Sequence, residues 1–127
     1  MYSIFVFGNP DLGMDSVPLR ILPRLRERFS DIDFLFLDPN EEWEIPDPLI
    51  VIDTVVGISG VQVFHGLGEF GAAPTVSVHD FDALFNLRYL AKLGKLGEVT
   101  IIGIPPHMSE NDAFNGVSSE IKRLFTT

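Results

Sequence analysis

Apolar residues in this chain gather in short blocks, separated by glycine, proline and acidic residues. Residues 3–7 contain Ile4-Phe5-Val6-Phe7 and stop at Gly8, the pattern of a strand buried on both faces of a parallel sheet. Residues 16–29 follow a helical period instead, with Val17, Ile21, Leu22, Leu25 and Phe29 in one stripe. Arg20, Arg24, Arg26, Glu27 and Arg28 fall mostly off that stripe. Pro18 suits a first helical turn, whereas Pro23 removes a backbone donor and should bend the helix.

The alternation continues. Residues 32–37 and 49–53 read as the second and third strands, the third apolar until it ends in Asp53. Between them, residues 39–48 are acidic, contain three prolines and are too short for an ordinary crossover helix, so they read as loop. Residues 60–65 alternate as a half-exposed edge strand does, and 66–74 are a glycine-rich loop. Ser77 can cap a helix with Asp80 three residues on; Phe81, Leu84, Phe85, Leu87 and Ala91 carry it forward and Gly94 closes it. Residues 99–104 are the last parallel strand, stopped by Pro105-Pro106. Val117, Ile121, Leu124 and Phe125 outline a C-terminal helix.

This order predicts an α/β fold: a single three-layer domain over residues 1–127, with helices on both faces of a twisted, mostly parallel sheet. The sheet should have about five strands, one of them an antiparallel edge strand. If the first helix covers one face and later helices the other, strand order reverses beside the first strand. The crevice at that reversal, outside the carboxyl ends of the strands, is where such folds bind ligands.

Composition narrows the chemistry. With 127 residues the chain has room for one core. A formal net charge of -9 disfavours nucleic-acid and anionic-membrane partners, which need a basic face. Part of the acidity is local, in Asp38, Glu41, Glu42, Glu44 and Asp47, which read as a solvated loop. No apolar run can span a bilayer and Met1-Tyr2-Ser3 lacks a signal-peptide pattern, so a cytoplasmic location is expected. Cysteine is absent, which excludes disulfides, zinc-thiolate sites and thiol nucleophiles.

The candidate chemistry sits at one sheet edge. Gly8-Asn9-Pro10-Asp11-Leu12-Gly13-Met14-Asp15 is a glycine turn between strand and helix, a place that often cradles phosphate. It carries two carboxylates and no lysine, so it should repel phosphate and attract a cation. Asp15 lies just beyond the first strand, Asp53 ends the third, and His79 opens a helix starting at the same edge. Two carboxylates and an imidazole suit a divalent transition metal. The positive end of the helix dipole keeps such a histidine neutral, the form that ligates metal. Each residue also has a plainer reading: Asp15 as a helix cap, Asp53 as an acceptor for a neighbouring turn, His79 as a first-turn polar residue.

Other motifs carry less. Gly66-Leu67-Gly68-Glu69-Phe70-Gly71 matches a dinucleotide fingerprint literally, but Ala72-Ala73-Pro74 follows instead of a helix and Glu69 would oppose a pyrophosphate. No nucleophile elbow exists, and Ser59, Ser77 and Ser109 lack a supporting pattern. His107, past the last parallel strand, either joins the site or decorates its loop; His65 reads as surface.

Phe7-Gly8-Asn9-Pro10-Asp11-Leu12-Gly13-Met14-Asp15 resembles the opening of the hydrogenase maturation endopeptidases, roughly G-N-x-L-x-x-D-[DE]. Leu49-Ile50-Val51-Ile52-Asp53, Ser77-Val78-His79-Asp80 and Val99-Thr100-Ile101-Ile102-Gly103-Ile104-Pro105-Pro106 resemble the family's later landmarks, in order. The resemblance implies a nickel-dependent endopeptidase that trims the C-terminal tail of a nickel-iron hydrogenase large-subunit precursor. It implies catalytic and metal-contacting roles for Asp15, Asp53 and His79, with nickel supplied by the substrate. The alternative is a non-catalytic relative that docks on, or carries metal for, a metallocentre protein. The chain departs from the family where Asp38-Pro39-Asn40 and the short acidic loop replace an aspartate-glycine-glycine-threonine segment and a helix. It departs again at Pro106-His107, where a glutamate is usual, and at Pro18, where a glycine is common.

Overall fold

A computed structural model describes residues 2–8, 16–36, 48–55, 57–66 and 97–125. The apolar blocks form five strands: β1 (Tyr2–Val6), β2 (Ile32–Phe36), β3 (Leu49–Thr54), β4 (Gln62–His65) and β5 (Val99–Ile104). Two helices are described, α1 (Val17–Arg28) and α2 (Glu110–Phe125). The strands make one sheet in the order β2-β1-β3-β5-β4. Every neighbouring pair is parallel except β4 with β5, so the architecture is α/β with one antiparallel edge strand. The order reverses beside β1, as the alternation of elements predicted.

β3 lies at the centre and all six of its residues are buried. Its even positions, Ile50 and Ile52, share one face of the sheet with Ile4, Val6, Phe34, Ile102 and Ile104. α1 and α2 bury Val17, Ile21, Leu22 and Leu25, and Ala113, Val117 and Ile121, against that same face. On the opposite face Phe5, Phe7, Leu49, Val51, Val99, Ile101 and Phe64 are buried as well. Burial on both faces is why the inner strands read as unbroken apolar runs.

The C-terminal helix is where the structure differs from expectation. It shares α1's face instead of covering the other one. Arg24 on α1 donates to Asn111 Oδ1 on α2 at 2.9 Å, and its guanidinium stacks 4.1 Å from the centre of the Phe114 ring. At the far end of the helix, the Phe125 and Tyr2 rings lie 4.5 Å apart, which ties α2 to the start of β1. The helix predicted for residues 77–94 and the acidic loop 39–48 fall outside the described residues, apart from Pro48.

Pro23 does not end α1, which continues through it to Arg28. The residue is exposed, so its ring meets solvent instead of the core. Ser16 occupies the N-cap position without a side-chain cap bond, and proline in the first turn needs no donor there. α2 is capped in the ordinary way: Ser109 Oγ accepts from the Asp112 amide at 3.1 Å.

Two glycines set how closely elements approach. A Cβ on Gly116 of α2 would lie 2.6 Å from Val61 Cγ2, so the absence of a side chain there lets the helix close on the edge beside β4. A Cβ on Gly103 of β5 would lie 2.8 Å from Val55 Cγ2 and 3.1 Å from Phe64 Cε2. Both neighbours are buried and stiffly held. We expect Gly103→Ala to cost about 1–3 kcal/mol by overpacking, read as a lower denaturant midpoint with unchanged slope.

Candidate functional site

Parallel strands place their carboxyl ends at one edge, and β1, β2, β3 and β5 all finish there. Among the described residues, the last β1–β3 rung joins Phe7 N–H to Ile52 O at 3.0 Å. On the other side the β3–β5 ladder runs further, to Val55 N–H and Ile104 O at 2.9 Å. β3 therefore keeps a neighbour on the β5 side beyond its last rung with β1. That step is the crevice of a strand-order reversal.

Asp53 stands at this step. It pairs in register with Gly103 and is only 3% exposed. An ionised carboxylate so buried needs compensating hydrogen bonds. One comes from the next residue: the Thr54 amide donates to Asp53 Oδ1 at 2.8 Å. In a parallel strand the N–H and C=O of one residue point to the same side, and successive residues alternate. Because Ile52 O faces β1 and Val55 N–H faces β5, the Thr54 amide faces the β1 side. Its bond draws the carboxylate toward the crevice and fixes its orientation. The side chain lies on the sheet face away from α1 and α2, since Ile52 and Ile102 on either side in register face those helices.

Asp15 and His79, the other two residues of the sequence-based trio, lie outside the described residues. The same holds for Ser77, Asp80 and most of the 66–71 glycine motif. Among the described residues, no group of three or more His, Asp or Glu side chains is gathered closely enough to hold a metal ion. The described helices include none long and apolar enough to cross a membrane.

The two remaining histidines separate cleanly. β4 runs antiparallel, so His65 pairs with Thr100 near the start of β5, at the opposite end of the sheet from Asp53. It is exposed there, as its alternating context predicted. His107 follows the end of β5, at the same edge as Asp53, and is exposed. Its φ is 66°, in the left-handed region.

Thr54 is a polar residue that sequence reading missed, because the third strand was expected to stop at Asp53. It is 1% exposed, lies on the helix-covered face, and its Oγ1 has no hydrogen-bond partner. The only signal for it in the sequence is a β-branched residue directly after an apolar strand.

No protein-family model matches the chain, and no curated protein matches it either. Solved structures do. The [NiFe] hydrogenase maturation protease HybD from Thermococcus kodakarensis superposes with a TM-score of 0.72 at 20% identity, covering 100% of both chains. The hydrogenase maturating endopeptidase HybD from Escherichia coli gives 0.64 at 14% identity, over 98% of this chain and 94% of its own. An Escherichia coli endopeptidase solved in solution gives 0.61 at 16% identity, over 99% and 95%. The chain thus has the fold of these endopeptidases.

A buried hydroxyl without a partner costs about 1–3 kcal/mol, whereas a methyl group of the same shape costs nothing. Thr54→Val should therefore raise unfolding stability by about 1 kcal/mol or more, measured by chemical denaturation. An unchanged or lower midpoint would mean that the hydroxyl is already satisfied.

Proposed function

We propose that this chain is an endopeptidase that removes the C-terminal tail of a nickel-iron hydrogenase large-subunit precursor in the cytoplasm. Nickel already seated in that precursor is the feature it recognises. One observation carries the reading. A buried aspartate, oriented by the amide of the following residue, ends the central strand where strand order reverses, in a fold shared end to end with hydrogenase maturation proteases.

In this reading Asp15, Asp53 and His79 contact the substrate's nickel. Oxygen and imidazole nitrogen donors together suit that ion and leave coordination positions open. Nickel, when bound, polarises a carbonyl or activates water. Asp53 fits its part. Its carboxylate is shielded from bulk water, so its attraction for a cation is weakly screened. One of its hydrogen bonds comes from the Thr54 amide, which orients Oδ1.

The test is cleavage of a nickel-loaded precursor, with tail release followed by mass spectrometry. Asp53→Asn retains an oxygen to accept from the Thr54 amide, so the fold should survive with a similar melting temperature. Processing should fall by about 100-fold or more, beyond the loss typical of residues that merely support a ligand. Normal processing by the variant would remove Asp53 from the mechanism. Tight binding of the precursor without cleavage, by the unmodified protein, would favour a docking or metal-carrying role instead.

A further inference from the structure

An exposed histidine in the left-handed region stands at the same sheet edge as Asp53. His107 has a φ of 66°, where a Cβ crowds the backbone and glycine or asparagine is the usual occupant. Its side chain is exposed, and it makes no hydrogen bond, ion pair or ring contact with the described residues. Among the described residues, the conformation is therefore not repaid by packing of the imidazole. Non-glycine residues in such conformations concentrate at binding and catalytic sites, where the surrounding chain forces them.

The surrounding chain here is rigid on both sides. β5 is held by β3 up to Thr54 and Ile104. Pro105 beyond it is buried, and Pro106 fixes its own φ. Proline followed by a residue of positive φ is the arrangement of a type II turn. Two residues later Ser109 caps α2, with its carbonyl accepting from Ala113 at 2.9 Å. The imidazole is thus displayed on a short segment anchored by a sheet at one end and a helix at the other. Such pre-ordering lowers the entropy lost when a displayed side chain meets its partner.

Register places that display beside the site. Gly103 and Ile104 pair with Asp53 and Thr54, and His107 follows three residues after Ile104 on the same edge. We propose that His107 is a substrate-contacting residue, whose imidazole hydrogen-bonds the peptide segment of the precursor lying across the carboxyl edge of the sheet. This assignment rests on the endopeptidase reading above. It adds a contact outside the Asp15, Asp53 and His79 set, made to polypeptide and not to metal.

The experiment compares His107→Ala, His107→Gly and His107→Asn with the unmodified protein, using the nickel-loaded precursor. Glycine and asparagine both accept the left-handed backbone, so neither should lower the melting temperature. All three variants should raise KM by about tenfold, the loss of one good hydrogen bond, with kcat changed much less. In parallel, the His107 imidazole signals of the unmodified protein should shift by NMR when precursor is added. If the unmodified protein cleaves and the variants match its KM, the assignment is wrong. If the unmodified protein does not cleave, the endopeptidase reading fails by itself, and the NMR titration still decides His107. Imidazole signals that stay put with the precursor bound overturn the contact.

Discussion

β3 is hydrogen-bonded to β1 on one side and to β5 on the other, and among the described residues the two ladders stop at different levels. The β1 ladder ends with Phe7 and Ile52, and the β5 ladder with Val55 and Ile104. Most of what is distinctive in the molecule follows from that mismatch. β1 must leave the sheet first, because its chain turns back through α1 to β2 on the far side. β5 can run on, because its chain continues to α2 past Pro105. Among the described residues, the end of β3 is therefore flanked by β5 alone. An aspartate at that level is buried and oriented at the point where such folds bind ligands.

Keeping this edge in place requires the helices to hold the sheet from one side. α1 and α2 both follow the carboxyl ends of strands and both pack on the face that bears Ile50 and Ile52. The apolar residues between them supply most of the attraction. A cation–ring contact such as that between Arg24 and Phe114 adds only about 0.5–1 kcal/mol at a partly exposed site. The Arg24–Asn111 bond fixes how the two helices align, since a neutral acceptor at one position permits few alternatives. The exposed Glu120–Arg123 pair at 3.6 Å, within α2, contributes little.

Much of this was legible in the chain itself. β5 appears at the residues that the apolar run 99–104 marks, and β4 at the alternating stretch, because period and burial are directly linked in strands. Asp53 was legible as a break in an apolar run. The face taken by the C-terminal helix was not, because an amphipathic stripe says that a helix packs, without saying against which side of a sheet. Thr54 was missed for a related reason: a threonine after an aspartate looks like the start of a turn, whereas the β5 ladder carries the strand one residue further. The left-handed backbone at His107 was hidden too, since Pro105-Pro106 reads only as a stop signal. Asp15 and His79 were singled out by pattern and resemblance, and the described residues bear on neither.

Among the described residues, the departures from an ideal fold are not scattered. A buried carboxylate at Asp53, an unpartnered buried hydroxyl at Thr54 and a left-handed histidine at position 107 all lie at the carboxyl edge, within a few residues of paired β3 and β5 positions. Ser118, the other buried hydroxyl without a partner, has a local remedy, because a helical serine can rotate to bond a carbonyl one turn back. Thr54 sits in a strand and has no such turn beneath it. Toward the opposite end of the sheet the contacts are of the ordinary stabilising kind: tilted Tyr2–Phe125 and Phe29–Phe34 ring pairs, and a guanidinium of Arg26 donating to the Phe34 carbonyl at 3.0 Å. Chains that fold well violate local rules mainly where function requires it. Among the described residues, the carboxyl edge is thus where the fold departs most from local rules, on grounds independent of any likeness to other proteins.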